Sequence, residues 1–288
     1  MTRRTIKNER LEVNFTISGK EYNGTRFDRM GMIKEVLLDN KDTFHARESL
    51  VDGQGSDGQG FYNEFGIEEP IGYDEIGVGE QFLKIGVGAL IKFSHDKYDF
   101  FQDYDVELFS YDVKAKEDTI TFISESELIN GYAVRYVKTI SINHNEMLIE
   151  YALTNTGQKD IDTTEYCHNF VAINNRPIGP EYELKFSYPL EVDVEVGEFE
   201  VDENKFILSK SVNEMFYCKL KNFNRDRNQH FELLHKPSKV GFKETSCFNL
   251  ERVAIWGMPH VISPESFIKI MLKPGEKQTW SRVYTFYN

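Results

Sequence analysis

Tyr166, His168 and Phe170 recur at two-residue spacing within Glu165-Tyr166-Cys167-His168-Asn169-Phe170. On an extended strand that spacing puts all three on one face. An imidazole flanked by two aromatic rings suits a groove that holds a ring-shaped ligand; the same pattern also fits a core histidine satisfied by a neighbour. A second stretch with chemical content lies at Ile255-Trp256-Gly257-Met258-Pro259-His260, which leads to Pro264-Glu265-Ser266. An indole can hold the apolar face of a sugar, and a carboxylate beside it can move protons. Other chemistries lack their parts. His230 and His235 are five apart and fall on opposite faces of a strand, no HxxxH or HExxH occurs, and no GxSxG nucleophile elbow is present. His45, His95, His144 and His260 have no partner in sequence. No metal and no cofactor is expected.

These residues need strands to position them. Residues 147–154 read as a strand, Asn155-Thr156-Gly157-Gln158 as a turn, and residues 161–170 as the strand that carries His168 back. Residues 8–17 alternate apolar and polar side chains, another strand ends at Leu38, and residues 79–90 read as one strand with permissive glycines. Strands then recur at about ten-residue intervals over 106–113, 119–126 and 134–142. They continue over 184–188, 191–196, 216–220, 231–234, 240–245, 249–256, 266–272 and 279–286. Glu265 is placed at the start of a strand, and residues 211–220 are the one candidate short helix. No linker composition or repeat divides the chain. The expectation is all-β: one large antiparallel sandwich over residues 1–288.

Gly53-Gln54-Gly55-Ser56-Asp57-Gly58 matches GxGxxG by letter. The dinucleotide fingerprint needs a buried strand before it and a helix after it, and neither flank supplies one. Residues 51–60 are therefore read as a mobile loop able to fold over a site.

Composition narrows the partners. The net charge of −13 excludes an extended nucleic-acid surface and disfavours anionic membranes. Fifteen Tyr and twenty-two Phe favour strands and supply a core. Cys167, Cys218 and Cys247 form no CxxC pair, which suits a reducing compartment. Met1-Thr2-Arg3-Arg4-Thr5-Ile6-Lys7-Asn8 has no apolar run behind its basic residues, so no signal peptide is expected. A cytoplasmic location is expected, and a homodimer is open.

The ordered set of motifs resembles the galactose mutarotase-like (aldose 1-epimerase) superfamily. The set comprises a strand ending in Asn155-Thr156-Gly157, then Tyr166-x-His168-Asn169-Phe170, then a tryptophan strand leading to Pro264-Glu265. Lys273-Pro274-Gly275-Glu276 and the closing strand through Trp280 complete it. The resemblance runs from Gly24-Thr25-Arg26-Phe27-Asp28 to the end and implies the supersandwich fold. It aligns His168 with the family's catalytic histidine. Glu265 aligns with its catalytic glutamate best through the hexose-6-phosphate mutarotase branch. Three family features are missing. No second, upstream histidine is found, and Lys84 occupies that general region. Leu250-Glu251-Arg252-Val253 stands where the galactose enzymes carry Leu-Glu-Thr-Gln, which makes Glu251 a competing base. Phosphate-binding arginines have no one-to-one match, Arg26 being the nearest.

The resemblance implies interconversion of the α and β anomers of a sugar or sugar phosphate, with His168 as general acid and Glu265 as general base. Arg26, Lys84 and Asn169 are expected to bind hydroxyl or phosphate groups, and Trp256 to stack. Glu48, Glu64 and Glu165 are read as structural. A non-catalytic carbohydrate-binding protein is the first alternative. A glycoside hydrolase or lyase, pairing Glu165 or Asp162 with Glu265, is the second.

Overall fold

The computed structural model describes residues 5–288, so the first four residues of the N-terminal stretch lie outside it. Period-two alternation along the chain becomes two large antiparallel sheets of eleven and ten strands, with a small third sheet of Gln81–Lys84, Gly88–Ile91 and Val106–Leu108. The Val134–Asn143 strand shows the rule, since its residues alternate buried and half-buried along almost its whole length. Apolar side chains of both sheets fill the space between them, Phe61, Phe242, Tyr284 and Phe286 among them. Among the described residues no helix is long and apolar enough to cross a membrane.

The eleven-stranded sheet carries the histidine. Its strand, Ile161–Phe170, has the bounds the sequence predicts, and it pairs with Gly60–Phe65 on one side and Val261–Leu272 on the other. Beyond Val261–Leu272 come Leu250–Met258, Phe216–Leu220 and the edge strand Val192–Val196. One face of the histidine strand turns inward, where Glu165 and Asn169 meet Trp280, Arg282 and Tyr284 of the opposite sheet. Tyr166, His168 and Phe170 face the other way.

The interior between the sheets is not wholly apolar. Arg282 Nη1 donates to both oxygens of Glu165, at 3.1 and 2.9 Å, and Glu165 also receives Trp280 Nε1 and Asn63 Nδ2. Lys138 Nζ lies 3.3 Å from Asp28 and 2.6 Å from Asn63 Oδ1. Such charges survive burial because each has an opposite charge and several hydrogen bonds.

Three expectations change. Residues 211–220 contain no helix: Phe216–Leu220 is a strand, because Phe216, Cys218 and Leu220 alternate with half-buried Tyr217 and Lys219. Residues 79–90 form a hairpin and not one strand. Gly86 makes the turn at φ +78°, where an added Cβ would meet Asp28 Oδ1 at 2.4 Å. Glu265 does not begin a strand, since Val261–Leu272 starts four residues earlier. The alternation Val261, Ser263, Glu265, Phe267 was hidden by Pro264 within the run, a residue that ordinarily argues against a paired strand.

A candidate active site across a broken ladder

The histidine and glutamate strands pair regularly from Ile161↔Leu272 to Tyr166↔Phe267, and again at Val171 and Ile262, whose backbone groups exchange both hydrogen bonds. The register is the same on both sides of the gap, so Asn169 falls opposite Pro264 and His168 opposite Glu265. Alternation from Val171–Ile262 makes Asn169–Pro264 a hydrogen-bonding position, but proline has no N–H to give. Side chains fill in. Asn169 N–H goes to Ser263 Oγ at 2.9 Å, and Asn169 Nδ2 donates to Pro264 O at 2.6 Å. His168 and Glu265 occupy the adjacent non-hydrogen-bonded position, where side chains stand closest. His168 Nε2 lies 3.2 Å from Glu265 Oε1.

Ser263 joins the two. Its Oγ is 2.7 Å from His168 Nδ1 and donates to Glu265 Oε1 at 3.2 Å. Asn169 N–H and His168 Nδ1–H both point to Ser263 Oγ, whose own proton goes to Glu265. One further proton lies between Glu265 and His168 Nε2, on the carboxyl in a neutral pair and on the imidazole in an ion pair. The electrostatics favour the neutral pair. Burial, with Arg26 nearby, holds His168 well below the usual imidazole range. Burial pushes Glu265 up to about 8, against the opposing pull of Arg26 and Ser263. The contact has the geometry of an ion pair, but removing two charges from water opposes it, and both shifts favour a protonated Glu265 beside a neutral His168. Phe170 stacks on the imidazole at 3.7 Å between ring centres, and Trp256 meets its edge at 5.4 Å.

The pair forms part of the floor of a cavity of about 870 Å³. Two loops wall it, one through Ser49, Gln54 and Gly55, the other through Tyr98, Phe100 and Phe101. The GxGxxG segment belongs to the first. Gly58 lies against Phe170, where a Cβ would come within 2.5 Å of the ring, and Glu48 Oε2 accepts the N–H groups of Ser56 and Gly58. Its glycines serve packing and turning, not a pyrophosphate.

The expected site residues separate into two groups. His168, Glu265, Arg26 and Trp256 all line the cavity. Lys84 and Asn169 do not. Lys84 is buried behind Glu64, which it contacts at 3.2 Å, and Asn169 turns inward to Tyr284 and Pro264. Arg26 Nε donates to Glu64, Nη1 to Glu48 and Ser56, and Nη2 to Tyr166. Glu251 faces away and pairs with Arg225, so the competing base is outside the cavity. The carboxylates expected for a hydrolase are also elsewhere: Glu165 is sealed against Arg282, and Asp162 pairs with Lys269 at the surface. Ser263 was not singled out by sequence, although its two-residue spacing to Glu265 was the available signal. Tyr217, Arg252 and Phe267 also line the cavity without having been foreseen.

Ser263 yields a first expectation. In Ser263→Ala the Asn169 N–H and His168 Nδ1–H lose a buried acceptor, a loss of about 1–2 kcal/mol in stability. Ser263→Thr keeps the hydroxyl and should keep most of that stability. Denaturant unfolding of the two variants beside wild type measures the difference, and equal losses for Ala and Thr would point to a packing defect instead.

Solved structures share this architecture along nearly their whole length. A galactose mutarotase-like protein from Lactobacillus casei is 12% identical, with 98% of this chain and 99% of that one covered at a TM-score of 0.62. A galactose mutarotase related enzyme from Lactobacillus acidophilus is 11% identical, covering 99% and 97%, with a TM-score of 0.60. An aldose epimerase homologue from C. elegans is 10% identical, covering 99% and 98%, with a TM-score of 0.53. No protein-family model and no curated protein matches the chain. At these identities the likeness establishes the fold, a galactose mutarotase-like antiparallel sandwich.

Proposed function

We propose that the protein interconverts the α and β anomers of an aldose through His168 and Glu265. The observation that carries this reading is the 3.2 Å approach of His168 Nε2 to Glu265 Oε1 in the floor of an aromatic-walled cavity with room for a sugar. Ring opening protonates the ring oxygen and deprotonates the C1 hydroxyl, two atoms on the same carbon. An acid and a base that serve both must reach that one carbon, and these two lie 3.2 Å apart. The sequence suggests His168 as acid. The buried environment favours the reverse for the first step: Glu265 delivers its proton to the ring oxygen while neutral His168 takes the hydroxyl proton. After rotation about the C1–C2 bond the roles exchange and the other anomer closes. Trp256 and Phe267 supply apolar surface, and Glu48 and Arg26 offer polar edges.

The proposal sets a pH dependence. Glu265, raised above the ordinary carboxyl value, keeps its proton until the pH approaches about 8. Below that pH the pair holds the single proton the reaction passes back and forth. Above it the acid is lost, so kcat/KM falls about tenfold per further pH unit. NMR exchange spectroscopy between anomers from pH 5 to 10 measures this limb. A rate that is flat through pH 8 to 10 would sink the assignment of Glu265 as the proton donor.

A further inference from the structure

Resting on that reading, the geometry points to a substrate larger than one sugar and without charge: a neutral reducing disaccharide, its reducing end at His168–Glu265 and its second ring over Trp256 and Tyr217. The cavity draws its lining from five neighbouring strands, from Tyr166 on the histidine strand to Glu195 and Val196 on the sheet edge. Four strand spacings correspond to roughly 19 Å, several times the width of one pyranose ring. The volume of about 870 Å³ lies near the upper end for drug-sized ligands, whereas a lone hexose is far smaller.

The far end is built, not merely open. The edge strand bulges between Val194 and Val196, which re-aims its side chains and lets both Glu195 and Val196 reach the cavity. Tyr217 lies opposite Trp256 in the ladder, so phenol and indole stand side by side as two consecutive platforms. Both are half-buried, with surface left for a ligand. Phe101 and Met215 continue this apolar surface outward along the rim and are substantially exposed.

Charge pairing selects a neutral ligand. Of the cations that line the cavity, Arg26 is engaged by Glu48 and Glu64, Arg252 by Glu68, and Lys219 by Glu195 at 2.8 Å. Only Lys97, on the rim loop, has no carboxylate partner described here. A phosphate on the strand floor would have to break one of these pairs to gain a cation, and only at the rim would it meet Lys97 unpaired. Hydroxyl groups need break none, because each donates to a carboxylate while accepting from the adjacent cation.

Isothermal titration with maltose, cellobiose, lactose, glucose, galactose and glucose 6-phosphate tests this in the intact protein. At least one disaccharide is expected to bind about tenfold tighter than its own reducing-end monosaccharide, and Tyr217→Ala should bring that ratio close to one. Lys219→Met, which keeps the stem but not the charge, should reduce the ratio in part. If no disaccharide binds tighter than glucose or galactose, the distal subsite is overturned. If glucose 6-phosphate binds tightest, the neutral-ligand assignment is overturned. Repeating the titration with His168→Gln reads binding without turnover, so failure of the subsite is distinguishable from failure of the anomerase reading.

Discussion

In His168→Gln, catalysed anomer exchange is expected to fall by about 10²–10⁴-fold, the range associated with one positioned acid–base group. Glutamine can keep a hydrogen bond to Ser263 Oγ, so the gap in the ladder need not collapse. It cannot accept and release a proton at the position of Nε2. Glu265→Gln should lose a similar amount for the complementary reason, and the double variant should lose little more than either single one. Residues that hold a single shared proton act as a unit, and their losses are not additive. Thermal melting of His168→Gln should stay near that of the wild type, because the imidazole is already neutral and its replacement removes no buried charge.

The second large effect concerns the fold. Arg282→Met is expected to cost about 3–5 kcal/mol, lowering Tm on the order of 10 °C. The guanidinium is fully buried and donates to Glu165, itself fully buried, and to Ser266 O. Removing it leaves an unpaired carboxylate between two sheets, with only Trp280 and Asn63 as partners. Combining Arg282→Met with Glu165→Gln should recover part of the loss, since the stranded charge is then gone. A Tm for Arg282→Met within a degree of the wild type would contradict this account of the interior. The same strand joins the two halves of the argument: its inward residues bind the sheets together and its outward residues face the cavity.

Much of this was legible before any coordinates. The Tyr166–His168–Phe170 spacing correctly predicted a shared face, and Ile161–Phe170 and Phe216–Leu220 have the bounds their alternation implied, although the latter was also offered as part of a short helix. Glu265 was found by its sequence neighbours, but its position within the strand was not. Pro264 broke the pattern that would have revealed Ser263 and Glu265 as residues on one face, and that break is what opens the ladder. Asn169 is expected in the site because it adjoins His168, and Lys84 because it stands in the region of the family's missing upstream histidine. Lys84 is drawn behind Glu64 by a charge and Asn169 is turned inward by strand alternation. Whether a polar side chain points to the cavity or to the interior depends on which neighbours neutralise it, and those neighbours are distant in sequence.

The most direct test of the central claim is two-dimensional NMR exchange between anomers of glucose, galactose and maltose at pH 7, with wild type beside His168→Gln and Glu265→Gln. The account predicts exchange above the buffer rate for wild type on at least one of these sugars, and its loss in both variants. Exchange no faster than buffer on every sugar, or undiminished exchange in both variants, would contradict it.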